Sequence, residues 1–279
     1  MWTKDSCHSN SNELGFTCFN TRSLENMKKI WNLKRPDMAI TSNDSKKIWQ
    51  AFKYIFRKSC KRESCWLNQK FVENNIDATL IKRTFAPSYP DSWKKNPYEW
   101  LNGKDISNVM KQYEEAYHDF EFLGPSPINY DTIIEDNECV WNELCHFKLN
   151  DYLKRNIRII GIVFNMDKHT KPGSHWIALI VNTEKKEIYY FDSYGFRIHP
   201  KVNTFAKEII RQGNILHGEK CYQRFSNKID HQLLTDSECG IYCLYVIIKE
   251  IENGNFHDLV KKRIPDGRIR KLRKLYFNY

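Results

Sequence analysis

At 279 residues and 33.4 kDa, with 41% hydrophobic and 28% charged residues, the chain is long enough to bury a real core in one or two domains. That excludes a disulfide-stapled miniprotein and a disordered tail, and the longest apolar runs, 159–164 and 176–181, fall far short of the ~20 residues needed to cross a bilayer. The net charge of +10 sits in the flanks: residues 1–96 carry 18 Lys/Arg against 9 Asp/Glu, residues 97–259 carry 18 against 24, and residues 260–279 carry 8 against 1. Such flanks are either a solvated surface or an electrostatic footprint for nucleic acid, an acidic partner or anionic lipid. The N-terminus has no apolar segment, and Trp2 stands where N-myristoylation needs glycine, so a soluble chain that is not secreted is expected. Nine cysteines without regular spacing suit a reducing compartment with free thiols.

In chain order, residues 45–58 place Ile48, Phe52, Ile55 and Phe56 at helical spacing, and 67–74 is a candidate second short helix. Residues 83–97 hold three prolines among Ser and Asp, which reads as a linker, so a basic helical domain over 1–96 and a second domain over 97–279 are expected. The second domain opens with a helical pattern over 105–117 and is broken by Gly124-Pro125-Ser126-Pro127. Residues 157–164 are apolar on both faces and read as a central strand; 174–181 and 187–192 are two more, joined by a polar turn. A helix over 205–211, a strand over 220–225 and a strongly apolar buried helix over 239–251 complete an α+β order.

The chemistry concentrates in the hairpin and the last helix. With the turn centred on Thr183-Glu184, His175 lies opposite Asp192, close enough for the carboxylate to accept an imidazole N–H; a one-residue slip separates them, and both are then solvated strand ends. Cys239 falls on the first turn of the apolar helix, where unpaired N–H groups and the helix dipole favour a thiolate. Gly240 removes bulk where a substrate carbonyl would approach, and Thr235 or Ser237 is a candidate cap. Asp236 and Glu238 oppose the thiolate unless they point to solvent. Cys243, one turn on, is the competing nucleophile, with a position that favours the core. The runs CKRESC at 60–65 and CVWNELCH at 139–146 lack the spacing of a paired zinc site, so no metal and no cofactor is expected. His169, His199, His217 and His257 have no derivable strand-paired carboxylate and read as surface residues.

The order His175-Trp176, Asp192, Gln232, Cys239-Gly240, with Glu99-Trp100-Leu101-Asn102 before an amphipathic helix, resembles the clan of cysteine peptidases that holds adenain and the SUMO proteases. The layout is similar to the polyprotein-processing proteases of large cytoplasmic DNA viruses, of the African swine fever virus type, which carry an extra N-terminal domain. The resemblance implies a mixed sheet flanked by helices, in the papain-like clan. By it, Cys239 is the nucleophile, His175 the base, Asp192 its orienter, Gln232 the oxyanion donor, and Trp100 and Trp176 the walls of a slot that passes a Gly-Gly backbone. Core packing is the other reading of the two indoles. Gln232 and Cys239 are seven positions apart where SUMO proteases have six, so the loop carries one extra residue.

The activity so implied is cleavage of viral structural polyproteins at Gly-Gly-X sites during virion maturation, in the host cytoplasm (the virus factory) and the virion. The basic N-terminal and C-terminal segments are then candidates for docking substrate or nucleic acid. The rival readings are a deconjugase for ubiquitin-like modifiers, an acyltransferase using the same trio, and an inactive module that grips a Gly-Gly tail or nucleic acid.

Overall fold

The structure, a computed structural model, describes residues 2, 5–9, 14–70, 80, 84–218, 220–233 and 237–278. The chain divides into two compact units, Met1–Tyr89 with Lys274–Tyr279, and Pro90–Arg273, so the first unit ends before residue 96 and takes in the last residues of the chain. In the first unit, α1 (Thr21–Lys34) and α2 (Ser45–Ile55) are capped by Asn20 and Asp44, whose side chains accept from Ser23 N and Lys47 N at 2.8 Å each. Their apolar faces meet through Leu24, Met27, Trp31, Ile48 and Phe52 around the buried Trp66. The segment expected as a second helix is a 3-10 turn over Glu63–Asn68, and 71–74 lie outside the described residues.

The second unit contains α3 (Gly103–Ala116), β1 (Phe120–Phe122), β2 (Ser126–Pro127), α4 (Asn142–Cys145), α5 (Leu149–Lys154), β3 (Ile159–Asn165), β4 (Trp176–Asn182), β5 (Glu187–Phe191), α6 (Pro200–His217), β6 (Gln223–Ser226), α7 (Cys239–Asn253) and α8 (Phe256–Leu259), and α9 (Asp266–Tyr276) follows. The described strands form one mixed sheet in the order β1-β3-β4-β5-β6, with β2 pairing further along β3; β3, β4 and β5 are antiparallel neighbours, and β1 and β6 add in parallel. Both faces are covered, which is why β3 and β4 carry no polar side chain before their last residues, Asn165 and Asn182. Ile160, Ile162, Ile177, Leu179 and Tyr190 pack with Val202, Phe205 and Ile209 of α6. The alternate residues face α7: Asn182 donates to Glu250 at 2.8 Å, and Gly161 sits where an added Cβ would meet Ile247 at 3.0 Å.

Two expectations are corrected. The thiols are not all free: Cys7–Cys18, Cys60–Cys65 and Cys139–Cys145 are joined, leaving Cys221, Cys239 and Cys243. The β4–β5 register pairs Ala178 with Phe191 and Asn182 with Glu187, so Asn182 and Glu187 flank a four-residue loop and Tyr194, not Asp192, extrapolates to the position opposite His175. The offset is two residues, which keeps His175 and Asp192 on one face as diagonal neighbours.

Gly213 on α6 is where the buried Tyr222 ring lies against the helix backbone, 2.2 Å from the position of an added Cβ. Alanine gains about 1 kcal/mol of helix propensity, but overpacking against a buried ring costs about 1–3 kcal/mol. Gly213→Ala is therefore predicted to lower the melting temperature by several degrees, measured by differential scanning fluorimetry; an unchanged or higher value would contradict this packing.

Candidate active site

Three chain segments end together. His175 precedes β4 and Asp192 follows β5, so antiparallel pairing brings both to one end of the sheet, where α7, packed beneath β4, begins at Cys239. His175 Nε2 lies 2.9 Å from Asp192 Oδ1. An ionised carboxylate only accepts, so Nε2 carries a proton whether the ring is neutral or charged, and Nδ1 is the nitrogen whose lone pair gains or gives up the second proton. Nδ1 is buried with no well-formed hydrogen bond, and it is the nitrogen left to take a thiol proton. Burial pushes the imidazole down, but hydrogen bonds and charge from Asp192 and Cys239 outweigh it and raise it to about 9.

Asp192, 1% exposed, is held from several sides. Tyr194 N donates to Oδ1 at 2.9 Å, Asp192 N donates to Asn227 Oδ1 at 2.9 Å, and Asn227 Nδ2 returns a bond to the Asp192 carbonyl at 2.6 Å. The Tyr194 ring stacks on the His175 ring, centroids 4.5 Å apart and 17° from parallel, shielding the imidazole.

Cys239 is the first helical residue of α7, and the capping Glu238 makes no side-chain bond to the first-turn N–H groups. Thr235 and Asp236 lie outside the described residues, and Ser237 instead bonds the Tyr98 carbonyl. Glu238 does not point to solvent: it is fully buried, and Arg273 Nε lies 2.9 and 2.8 Å from its two carboxylate oxygens. The charge expected to oppose a thiolate is thus neutralised in place. Cys243 is fully buried, and burial pushes its thiol well up, so it is the poorer nucleophile. Gly240 has a packing role, since an added Cβ would meet the Leu101 side chain at 3.0 Å.

Gln232 is buried, and its Oε1 accepts from Ser193 Oγ at 2.7 Å while its backbone N–H donates to the Ser193 carbonyl at 2.9 Å. That bond fixes the oxygen end of the amide and leaves Nε2 as the donor end. Trp176 is buried, and its Nε1 donates to the Leu101 carbonyl at 2.8 Å. Trp100 is 46% exposed and therefore not a core residue. Both indoles, with Asn102, Pro125 and Lys168, line a cleft of about 500 Å³.

Of the other expected histidines, His199 caps α6 with Nδ1 accepting from Lys201 N at 3.2 Å. His257 does have a strand carboxylate, Glu187, at 3.2 Å. Cys139, Cys145 and His146 bring their ligand atoms within 4.8 Å of one another, but the two sulfurs are joined and offer no thiolate.

Sequence reasoning missed Ser193, Tyr194, Asn227, His231 and Arg273. Arg273 had a readable signal: Ile269, Arg273 and Tyr276 fall on one helical face, and the outer two are apolar. His231, beside Gln232, is fully buried against the Phe191 ring, with Nδ1 accepting from Ile264 N at 3.0 Å. Burial lowers it to about 4.

The profile of the Ulp1 protease family, C-terminal catalytic domain, matches residues 147–277. Cysteine protease S273R of African swine fever virus is 30% identical over 260 residues, covering 85% of this chain and 93% of its own. R355 of Acanthamoeba polyphaga mimivirus, named a thiol protease, is 27% identical over 285 residues, covering 94% and 89%. Another African swine fever virus relative, 29% identical with 85% of this chain and 93% of its own covered, bears the name SUMO-1 cysteine protease. The fold is that of the crystal structure of the African swine fever virus pS273R protease, with a TM-score of 0.66 at 21% identity over 85% of this chain and 93% of that one. The protein is accordingly a cysteine peptidase with a mixed sheet flanked by helices. The chain belongs to the Ulp1 protease family.

Two titrations follow. The raised His175 pKa favours the folded protein below the ordinary 6.5, and that contribution is lost as pH rises through about 9. In Asp192→Asn the His175 resonance, followed by NMR, should titrate lower by about 1 unit or more; an unmoved titration would show that Asp192 does not govern it. His231 has the opposite sign: its contribution is complete above 6.5 and is lost as pH falls through about 4. His231→Asn, which keeps an acceptor for Ile264 N, should flatten the acid side of a melting-temperature profile, and an unchanged profile would contradict the assignment.

Proposed function

We propose that this cysteine peptidase cuts after Gly-Gly in viral structural polyproteins during virion maturation. The observation that carries the reading is the His175 imidazole, bonded to Asp192 through Nε2 and raised to about 9 by that carboxylate and the Cys239 sulfur. In this reading the Cys239 thiolate attacks the scissile carbonyl, and the resulting oxyanion is met by the Gln232 amide and the Cys239 N–H. His175, protonated by the thiol, passes that proton to the leaving amine as the carbon–nitrogen bond breaks, leaving a thioester. Water then attacks the thioester carbon, His175 takes its proton, and the thiolate leaves with the acid product formed.

The half-exposed Trp100 and the buried Trp176 beside the cleft support selection of residues without side chains, because a slot between aromatic faces passes a Gly-Gly backbone and excludes larger ones. Deconjugation of a ubiquitin-like modifier is the second reading, favoured by the membership in the Ulp1 family. Polyprotein processing is preferred because the similarity to viral relatives extends through the N-terminal region, beyond the catalytic profile. The setting we propose is the virus factory of the host cytoplasm and the virion.

The basic 1–96 segment is a candidate docking surface for polyprotein or nucleic acid, and the basic C-terminal segment is a second candidate for nucleic acid. Salt-sensitive binding of a fluorescent oligonucleotide would support the nucleic-acid role, and no binding at low salt would reject it.

A peptide-library digest should yield products ending in Gly-Gly, Cys239→Ala should abolish them, and Gln232→Ala should lower kcat by about 10²–10³-fold. Cleavage of a folded ubiquitin-like precursor with no cleavage of short Gly-Gly-X peptides would favour deconjugation instead.

A further inference from the structure

Glu238 poses an electrostatic problem that the chemistry of Cys239 does not solve by itself. A buried carboxylate directly before a nucleophilic sulfur raises the energy of the thiolate, and in a low-dielectric setting that repulsion is large. The partner is Arg273, 1% exposed on α9, whose Nε reaches both Glu238 oxygens at 2.9 and 2.8 Å.

The same guanidinium does more than neutralise. Its Nη2 donates to the Glu99 carbonyl at 2.7 Å, and its Cζ lies 4.5 Å from the centroid of the Trp93 ring. Glu99 immediately precedes Trp100, and the next residue, Leu101, packs against Gly240 and accepts the Trp176 indole N–H at 2.8 Å. One buried fork therefore joins the turn that presents the sulfur to the segment that presents the exposed wall of the cleft. Lysine carries its donors on one atom, so it cannot place them at the two separated positions from which Nε meets the Glu238 carboxylate and Nη2 meets the Glu99 carbonyl.

We propose that Arg273 is a positioning residue of this peptidase, cancelling the Glu238 charge beside the nucleophile and holding the Trp100 segment in register with it. The proposal rests on the reading of Cys239 as nucleophile and of Trp100 as a cleft wall. It separates two effects, charge acting on the sulfur and main-chain tethering acting on substrate binding, and each has its own readout.

The test uses the full chain and compares wild type with Arg273→Met, Arg273→Lys, Glu238→Gln and the double variant Arg273→Met/Glu238→Gln. Two quantities are followed: the pH profile of Cys239 alkylation by iodoacetamide, read by peptide mass spectrometry, and kcat and KM on a Gly-Gly-X peptide. Arg273→Met should move the alkylation midpoint up by about 1 unit, Glu238→Gln should move it down, and the double variant should return it near wild type. Arg273→Lys should keep the midpoint while raising KM about tenfold or more, because the tether to Glu99 is lost.

If Arg273→Met does not fold, the Glu238→Gln shift and the Arg273→Lys split carry the test. A double variant as displaced as Arg273→Met, a Glu238→Gln midpoint at the wild-type value, or an unchanged KM in Arg273→Lys would each overturn the proposal. Failure of the underlying reading looks different. Wild-type Cys239 alkylating no faster than a denatured thiol would refute the nucleophile, and wild type that alkylates but leaves Gly-Gly-X peptides intact would refute the substrate.

Discussion

The hydrogen bond between the His175 imidazole and the Asp192 carboxylate is the interaction on which the rest of the site depends. Because it runs diagonally between residues just beyond two strand ends, it exists only if β4 and β5 keep their register to the residue. The register is held by burial: every residue of β4 is packed, with α6 on one face of the sheet and α7 on the other. A slip of one position would turn both packed faces inside out, so the sheet core enforces a distance that local hydrogen bonding alone would not. A hydrogen bond to an ionised group contributes about 1.5–3 kcal/mol, and here Asn227 holds the Asp192 backbone while Tyr194 N donates to the carboxylate oxygen that meets the imidazole.

The second constraint is charge. A sulfur on the first turn of a helix gains from the unpaired N–H groups, and an imidazolium beside it adds to that. Both gains would be opposed by the neighbouring Glu238 were it unpaired. The buried Arg273 resolves the conflict from the far end of the chain. Burying an ion pair is costly in desolvation, and removing one partner is costlier still. The pair thus makes the turn before Cys239 intolerant of change without contributing much net stability.

Part of this arrangement is legible in the sequence. The meeting of His175, Asp192 and Cys239 follows from strand parity and a helix start, Gln232 enters only through the resemblance, and the central strands show as apolar runs. The hairpin register was misplaced by two residues because a turn centre is not marked by a Gly or Asn dipeptide here, yet face parity survived the error. The packing of Leu101 against Gly240 is not legible, because sequence shows that a side chain is missing, not what fills its place. Ser193, Tyr194, Asn227 and the Arg273–Glu238 pair escaped because each acts across separations of 2 to 174 positions through geometry that no local pattern encodes. The disulfides escaped for a related reason, since spacing does not report which sulfurs meet.

The most direct test of the central claim is to trap the reacting sulfur. A short peptide ending in Gly-Gly and carrying a vinyl ester electrophile at its C-terminus should form one thioether adduct, which tandem mass spectrometry would place on Cys239, and the adduct should be lost in His175→Ala. An adduct on Cys221 or Cys243, or one on Cys239 that forms equally fast without the imidazole, would contradict the account.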